Sequence, residues 1–216
     1  RECSIGYALA DSKGTFAQGA LEMKGLEGRG QADMGREVLR DFDFELRQGE
    51  RVVLRGRNGC GKSSFLKAVL KRVGQNEEPN LFVRGTLAIG TGLTISYINQ
   101  DTAFLKGDIK AFCRTRGLDE SLFCAILRQL DMAREQFAKP MEDYSEGQKK
   151  KVLIAASLMT PAHLYIWDEP LNYIDVFSRM QIESLLLKFE PTMIVVEHDV
   201  QFCERIATRI VEVLPE

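Results

Sequence analysis

The nine residues Gly56-Arg57-Asn58-Gly59-Cys60-Gly61-Lys62-Ser63-Ser64 constrain this chain more than any other stretch. They fit G-x-x-x-x-G-K-[ST], with the apolar run Val52-Val53-Leu54 just before them and a helix-like run, Phe65 to Val73, just after. Strand, glycine loop and helix start in that order make the pattern a phosphate cradle. Gly56, Gly59 and Gly61 let the backbone curl so that successive N–H groups point inward, concentrating positive dipole where polyphosphate oxygens would lie. Lys62 is expected to reach the β- and γ-phosphates and the Ser63 hydroxyl to hold Mg²⁺, with Asn58, Cys60 and Ser64 completing the binding loop. The bland alternative is a glycine-rich turn with a solvated lysine, and the flanking strand and helix weigh against it.

A loop of this kind needs a sheet to stand on. Phe42, Phe44 and Leu46 alternate with Asp43, Glu45 and Arg47, the period of a half-buried strand. Gln48-Gly49-Glu50 turns into Arg51 to Arg55, whose centre is continuously apolar, as in a parallel strand covered on both faces. Upstream, Leu21 to Lys24 is a candidate first strand followed by the glycine-rich Gly25 to Gly30, and residues 1–20 lack periodicity and read as a leader or linker remnant. Downstream, Leu81 to Ala88 and Leu93 to Ile98 read as strands leading to Asn99-Gln100-Asp101. From Ile109 to Gln136 the pattern turns helical, with Leu122, Phe123, Ile126, Leu127 and Leu130 on one face, and Pro140 closes the block.

Ser145 with Gln148 is a capping box that opens a helix apolar nearly all round, through Val152, Ile154 and Leu158. Leu164 to Trp167 is a short apolar strand ending in Asp168-Glu169-Pro170. Ile182, Leu185, Leu186 and Phe189 mark an amphipathic helix, and Met193 to Val196 a last core strand running into Glu197-His198-Asp199. This alternation predicts an α/β fold with a mostly parallel sheet, one domain over residues 21–216, and a helical subdomain at about 103–143.

With 216 residues, 44% of them hydrophobic, the chain has enough apolar material for one large domain. A net charge of −2 supplies no global attraction for nucleic acid, so any such contact must come from local patches or a partner. The five cysteines are odd in number and show no C-x-x-C pairing, which suggests reduced thiols and a cytoplasmic setting. No apolar run approaches the ~20 residues of a membrane helix and no signal peptide opens the chain, so direct membrane insertion is not expected. Arg1 in place of a start methionine suggests a piece of a longer protein.

An apolar strand ending in two carboxylates is the second half of a magnesium-nucleotide site. Asp168 is placed to bind Mg²⁺ and Glu169 to polarise a water for attack on the γ-phosphate. Alone, such a pair is a solvated turn; beside the glycine loop it is a site. The order of motifs resembles the ATP-binding cassette (ABC) ATPases. Gly56 to Ser63 looks like their Walker A loop, Gln100 their Q-loop glutamine and Tyr144-Ser145-Glu146-Gly147-Gln148 their signature. Leu164 to Glu169 looks like their Walker B strand, Leu171-Asn172-Tyr173-Ile174-Asp175 their D-loop and His198 their switch histidine.

The resemblance implies a RecA-like P-loop fold with an N-terminal antiparallel β subdomain, and ATP with Mg²⁺ as cofactors. Catalysis would fall to Glu169, His198 and Gln100, and the metal to Ser63, Gln100 and Asp168. Ser145, Gly147 and Gln148 would meet a nucleotide held by a second cassette, in the same polypeptide or in a homodimer. Lys149-Lys150-Lys151 fits that picture: cations in a helix's first turn cost roughly 0.3–1 kcal/mol each against its dipole, which a nearby polyphosphate would offset. A solvated basic surface is the alternative for Lys150 and Lys151.

The run Asp168 to Asp175 resembles the ABC-F branch, soluble tandem cassettes that bind the ribosome, contacting rRNA and tRNA. Its Pro-Leu-Asn-Tyr-Ile-Asp and Glu-Gly-Gln variants look like the subgroup protecting ribosomes from lincosamide, streptogramin A and pleuromutilin antibiotics, and specifically like a second cassette. The alternative is the nucleotide-binding subunit of a membrane transporter. Tyr144 and Glu146 depart from the family's Leu and Gly, and the adenine-stacking aromatic is missing between Gly25 and Gly35, where Arg29 is the candidate substitute. His163, Trp167 and Cys60 are expected to be structural.

Overall fold

Short strands rich in Val, Ile and Leu build the sheet that carries the glycine loop. The computed structural model describes residues 21–29, 37–75, 82–90 and 92–213. Among these, β1 (Leu21–Arg29), β2 (Glu37–Leu46) and β4 (Phe82–Ala88) form an antiparallel sheet in the order β2-β1-β4. The strands β3 (Arg51–Arg55), β5 (Ile95–Ile98), β6 (Leu164–Asp168), β7 (Met193–Val196) and β8 (Arg209–Glu212) form a second sheet ordered β5-β6-β7-β3-β8, parallel throughout.

Successive strand residues face opposite sides, and here both sides are covered. Val52, Leu54, Leu164, Ile166, Ile194 and Val196 join one buried cluster with Phe65, Leu66 and Val69 of α1 (Lys62–Arg72). Phe65 meets Phe42 and Phe44 of β2 edge-on at 5.2 and 5.0 Å, which ties the helix behind the glycine loop to the antiparallel sheet. Val53, Tyr165, Trp167, Met193 and Val195 face the other cluster. It is covered by α2 (Ile109–Arg116), α3 (Glu120–Gln129), α4 (Glu146–Met159), α5 (Val176–Phe189) and α6 (Val200–Ile206).

Three expectations change. The helical pattern from Ile109 to Gln136 is two helices: Gly117, at φ 65°, ends α2, and Asp119 accepts a hydrogen bond from Leu122 N at 2.7 Å to start α3. The period runs through the break because Leu118 packs on the same cluster as both helices. The glycine-rich stretch after Lys24 is not a loop at its start, since β1 continues through Gly25 and Gly28 to Arg29; Gly28 pairs with Leu39 and Val83 on its two edges, while Gly25 sits where the register shifts, a position glycine suits. Met193–Val196 is not the last strand. At the sheet edge, β8 follows it with exposed Arg209 and Glu212 at its ends, which hides any apolar run. Residues 1–20 and 30–36 lie outside the described residues.

Candidate functional site

Between β3 and α1 the backbone makes turns that side chains would obstruct. Gly59 and Gly61 sit at φ 81° and 101°, a left-handed region that a β-carbon disfavours. Gly56 is constrained by space instead: a Cβ there would lie 2.4 Å from Val213 O and 2.7 Å from Cys60 Sγ. Cys60 is buried and fills the loop from below, as expected of a packing residue. Lys62 folds back over the loop and its Nζ donates to Gly56 O at 2.7 Å and Arg57 O at 3.0 Å. No side chain caps α1 and its first turn carries no acid, so its leading N–H groups are available to an anion. A cavity of about 210 Å³ opens here, lined by Gly56 and Lys62 on one side and Glu197 and His198 on the other.

Across the sheet, Asp168 ends β6 and is 3% exposed. Its Oδ1 is enclosed without a hydrogen-bond partner. Burial pushes the carboxyl above the ordinary aspartate range and Glu169 adds to this, while hydrogen bonds from Ser63 and Gln100 and the charge of Lys150 oppose it. A buried carboxylate oxygen with no donor, beside a hydroxyl and a side-chain amide that can turn its oxygen toward a metal, is a donor set suited to a hard divalent cation. The residues present therefore fit magnesium, with Ser63, Gln100 and Asp168 as the groups that would hold it.

Glu169 follows at φ 50°, a conformation that costs a non-glycine residue of order 1–3 kcal/mol and is found mainly where function requires it. Its amide donates to Val196 O at 2.8 Å, which fixes the turn at the end of β6. Both carboxylate oxygens are engaged: Oε1 lies 3.2 Å from His198 Nε2 and Oε2 accepts from Asn172 Nδ2 at 2.8 Å. An ionised carboxylate only accepts, so His198 carries the proton of its contact. Two residues outside the sequence-derived set hold this arrangement. Asn172 is one, and its position three residues after Glu169 was the available signal. The other is buried Glu197, whose Oε2 accepts from Leu171 N at 3.0 Å and whose Oε1 accepts from His198 N at 2.7 Å. It anchors the 171–175 loop beside the histidine.

The structure thus gathers the 56–63 loop, Gln100, Asp168, Glu169 and His198 at the ends of β3, β5, β6 and β7. Ser145, Gly147 and Gln148 do not join them. They open α4, where Ser145 N donates to Gln148 Oε1 at 3.0 Å and Gln148 N to Ser145 Oγ at 3.3 Å, closing the expected capping box. The lysines that follow are neither a solvated surface nor a free polycation. Lys149 pairs with Glu146 at 3.0 Å and Lys151 with Asp175 at 2.6 Å, while Lys150 Nζ donates to Asn99 O at 3.0 Å. Partners within the fold therefore replace the polyphosphate as the reason for three cations in a first turn. His163 accepts from Thr94 N at 2.9 Å and Trp167 donates to Ser157 Oγ at 2.9 Å, both structural as expected. The side chain of Arg29 lies outside the described residues.

The family model described as ABC transporter matches residues 39–172. The chain belongs to the ABC transporter family. Its chemistry is accordingly that of an ATP-binding cassette, a domain type that uses ATP with magnesium and hydrolyses it. The cassette is 29% identical over 208 residues to ATP-binding protein Uup of Caulobacter vibrioides, covering 92% of this chain and 32% of that protein. It is 31% identical over 203 residues to the probable ATP-binding protein YbiT of Escherichia coli O157:H7, covering 91% and 36%. The cassette thus spans about a third of the length of these relatives.

Its fold matches the dimeric structure of MJ0796, a bacterial ABC transporter cassette, at TM-score 0.71 and 18% identity over 90% of this chain and 94% of that one. An ATP-binding subunit of an ABC transporter matches at TM-score 0.68 and 24% identity over 89% and 85%. The fold is therefore the α/β P-loop fold with a parallel sheet core. Among the described residues, no helix is long and apolar enough to cross a membrane.

Proposed function

We propose that this cassette binds Mg·ATP between the 56–64 loop and Asp168 and hydrolyses it with Glu169 as general base, as one half of a head-to-tail cassette pair. The observation that carries this is the enclosed, unpartnered Oδ1 of Asp168 beside Ser63 and Gln100. Bound magnesium supplies charge neutralisation along the triphosphate. Lys62 sits over the glycine loop, ready to exchange its carbonyl partners for phosphate oxygens. Glu169 accepts a proton from the attacking water. Asn172 and His198 orient its two oxygens, and His198, at the cavity wall, is within the region a γ-phosphate would enter. Ser145 and the N–H groups at the start of α4 face a nucleotide held by the second cassette.

The run Glu169-Pro170-Leu171-Asn172 with Asp175, and relatives about three times this length whose printed names describe ATP-binding proteins, support an ABC-F cassette working in the cytoplasm. In that setting its target is the ribosome, with protection against lincosamide, streptogramin A or pleuromutilin drugs as the finer assignment from the signature and 171–175 variants. Glu169→Gln keeps the shape of the site and removes the base, so hydrolysis should fall by about 10²–10⁴-fold with ATP affinity retained. The trapped full-length protein should pellet with ribosomes in ATP, and release drug from them. Unchanged turnover would refute the base assignment, and co-purification with an integral membrane protein instead of ribosomes would favour a transporter subunit.

A further inference from the structure

Lysine is almost never fully buried without a partner, and Lys150 is 3% exposed. Its ammonium donates to the carbonyls of Asn99 at 3.0 Å and Gln100 at 3.4 Å. Four carboxylates act on it, those of Asp168, Glu169, Glu146 and Glu197, against the burial that disfavours its charge. The Asn99–Gln100 backbone is thus pinned to the first turns of α4, while the Gln100 side chain hydrogen-bonds Asp168. The same turns are fastened elsewhere. Thr102 Oγ1 donates to Glu146 Oε2 at 2.8 Å, Lys151 pairs with Asp175 at 2.6 Å, and Gly147 is pressed against the carbonyl of Tyr173. The N-terminal end of α4 is therefore a strut with one foot on residues 99–102 and the other on residues 173–175.

We propose that Lys150 is a positioning residue that clamps the Gln100 backbone to the start of α4, so that the Gln100 side chain is held at the metal position and follows any displacement of that helix. Because Ser145 opens the same helix, contact with a second cassette's nucleotide is passed through Lys150 to this cassette's own Gln100. The inference rests on the reading that Ser63, Gln100 and Asp168 hold magnesium.

The test is binding of a fluorescent ATP analogue to the protein, measured in Mg²⁺ and in EDTA. The wild-type chain should bind more tightly in Mg²⁺. Lys150→Met, which fills the space without a donor, should lose about tenfold of that gain, the worth of a hydrogen bond to a charged group, with its affinity in EDTA unchanged. Lys150→Gln should recover most of it, since the carbonyls need a donor rather than a charge. A full magnesium gain in Lys150→Met overturns the proposal, as does an equal loss in Mg²⁺ and EDTA in both variants, which marks a purely structural lysine. A wild-type chain that gains nothing from Mg²⁺ overturns the metal site itself, and this inference with it.

Discussion

Gly147→Ala sets local preference against tertiary packing, and the two predict opposite signs. Gly147 is the second residue of α4, where exchanging glycine for alanine favours a helix by up to about 1 kcal/mol. A Cβ at this position, however, would lie 2.3 Å from Tyr173 O and 3.3 Å from Tyr173 C. Carbon and carbonyl oxygen approach to about 3.3 Å, so the 171–175 loop must retreat by about 1 Å. It has little freedom to do so. Tyr173 is already at φ 66°, Ile174 N donates to Leu171 O at 3.0 Å, and Asp175 is held by Lys151 at 2.6 Å while capping α5 through Ser178 N at 2.8 Å.

Overpacking of this kind costs about 1–3 kcal/mol, which outweighs the helix preference and leaves a net loss of about 1 kcal/mol. In a chain of this size that is a fall in Tm of about 2–4 °C, where propensity alone would raise it by a similar amount. Thermal denaturation measures the sign. ATP binding to the unpaired cassette should hold, because the 56–64 loop is not involved, while turnover should drop, because Asn172, next to Tyr173, orients Glu169. A raised Tm with full turnover would show that the loop yields freely and would refute the packing argument.

Gly56→Ala meets a backbone atom, Val213 O, at 2.4 Å, so stability should fall by about 1–3 kcal/mol and nucleotide affinity with it; normal values of both in calorimetry would mean the loop has slack. Acid should act through Asp175. Burial works against its ionisation, yet hydrogen bonds from Lys151 and Ser178 and the charge of Lys151 hold it down to about 2, from an ordinary value of 3.8. A depressed carboxyl contributes stability above its unfolded value and loses it as pH falls toward the folded one. The gap, at about 1.4 kcal/mol per pH unit, bounds the effect near 2 kcal/mol, and the 43% exposure of the side chain reduces it to about 1 kcal/mol. Urea denaturation should therefore find Asp175→Asn less stable by about that amount at pH 7, with the gap closing between pH 4 and pH 2. A gap independent of pH would assign the effect to the helix cap instead.

The glycine loop, the apolar strands and the Ser145–Gln148 cap could be read directly from the sequence, because each depends on neighbours along the chain: strand period, helix period, and residues three apart. Asp168 and Glu169 were legible for the same reason, as the end of an apolar run. What partners those residues find could not be read this way. The Lys149-Lys150-Lys151 run looks like surface charge in one dimension, and only the approach of the segment after β5 and of the 171–175 loop to α4 gives the buried Lys150 and Lys151 their partners. Glu197 looks like one more acid before His198 until the turn at Leu171 is folded onto it. Gly147 is free in the sequence and confined in the fold by a carbonyl 26 residues further along. Local pattern determines which elements form and which face is apolar, since propensity and periodicity act over a few residues. Which charges are satisfied, and by whom, is decided by distances between segments far apart in the chain, where burial makes an unmatched charge too costly to keep.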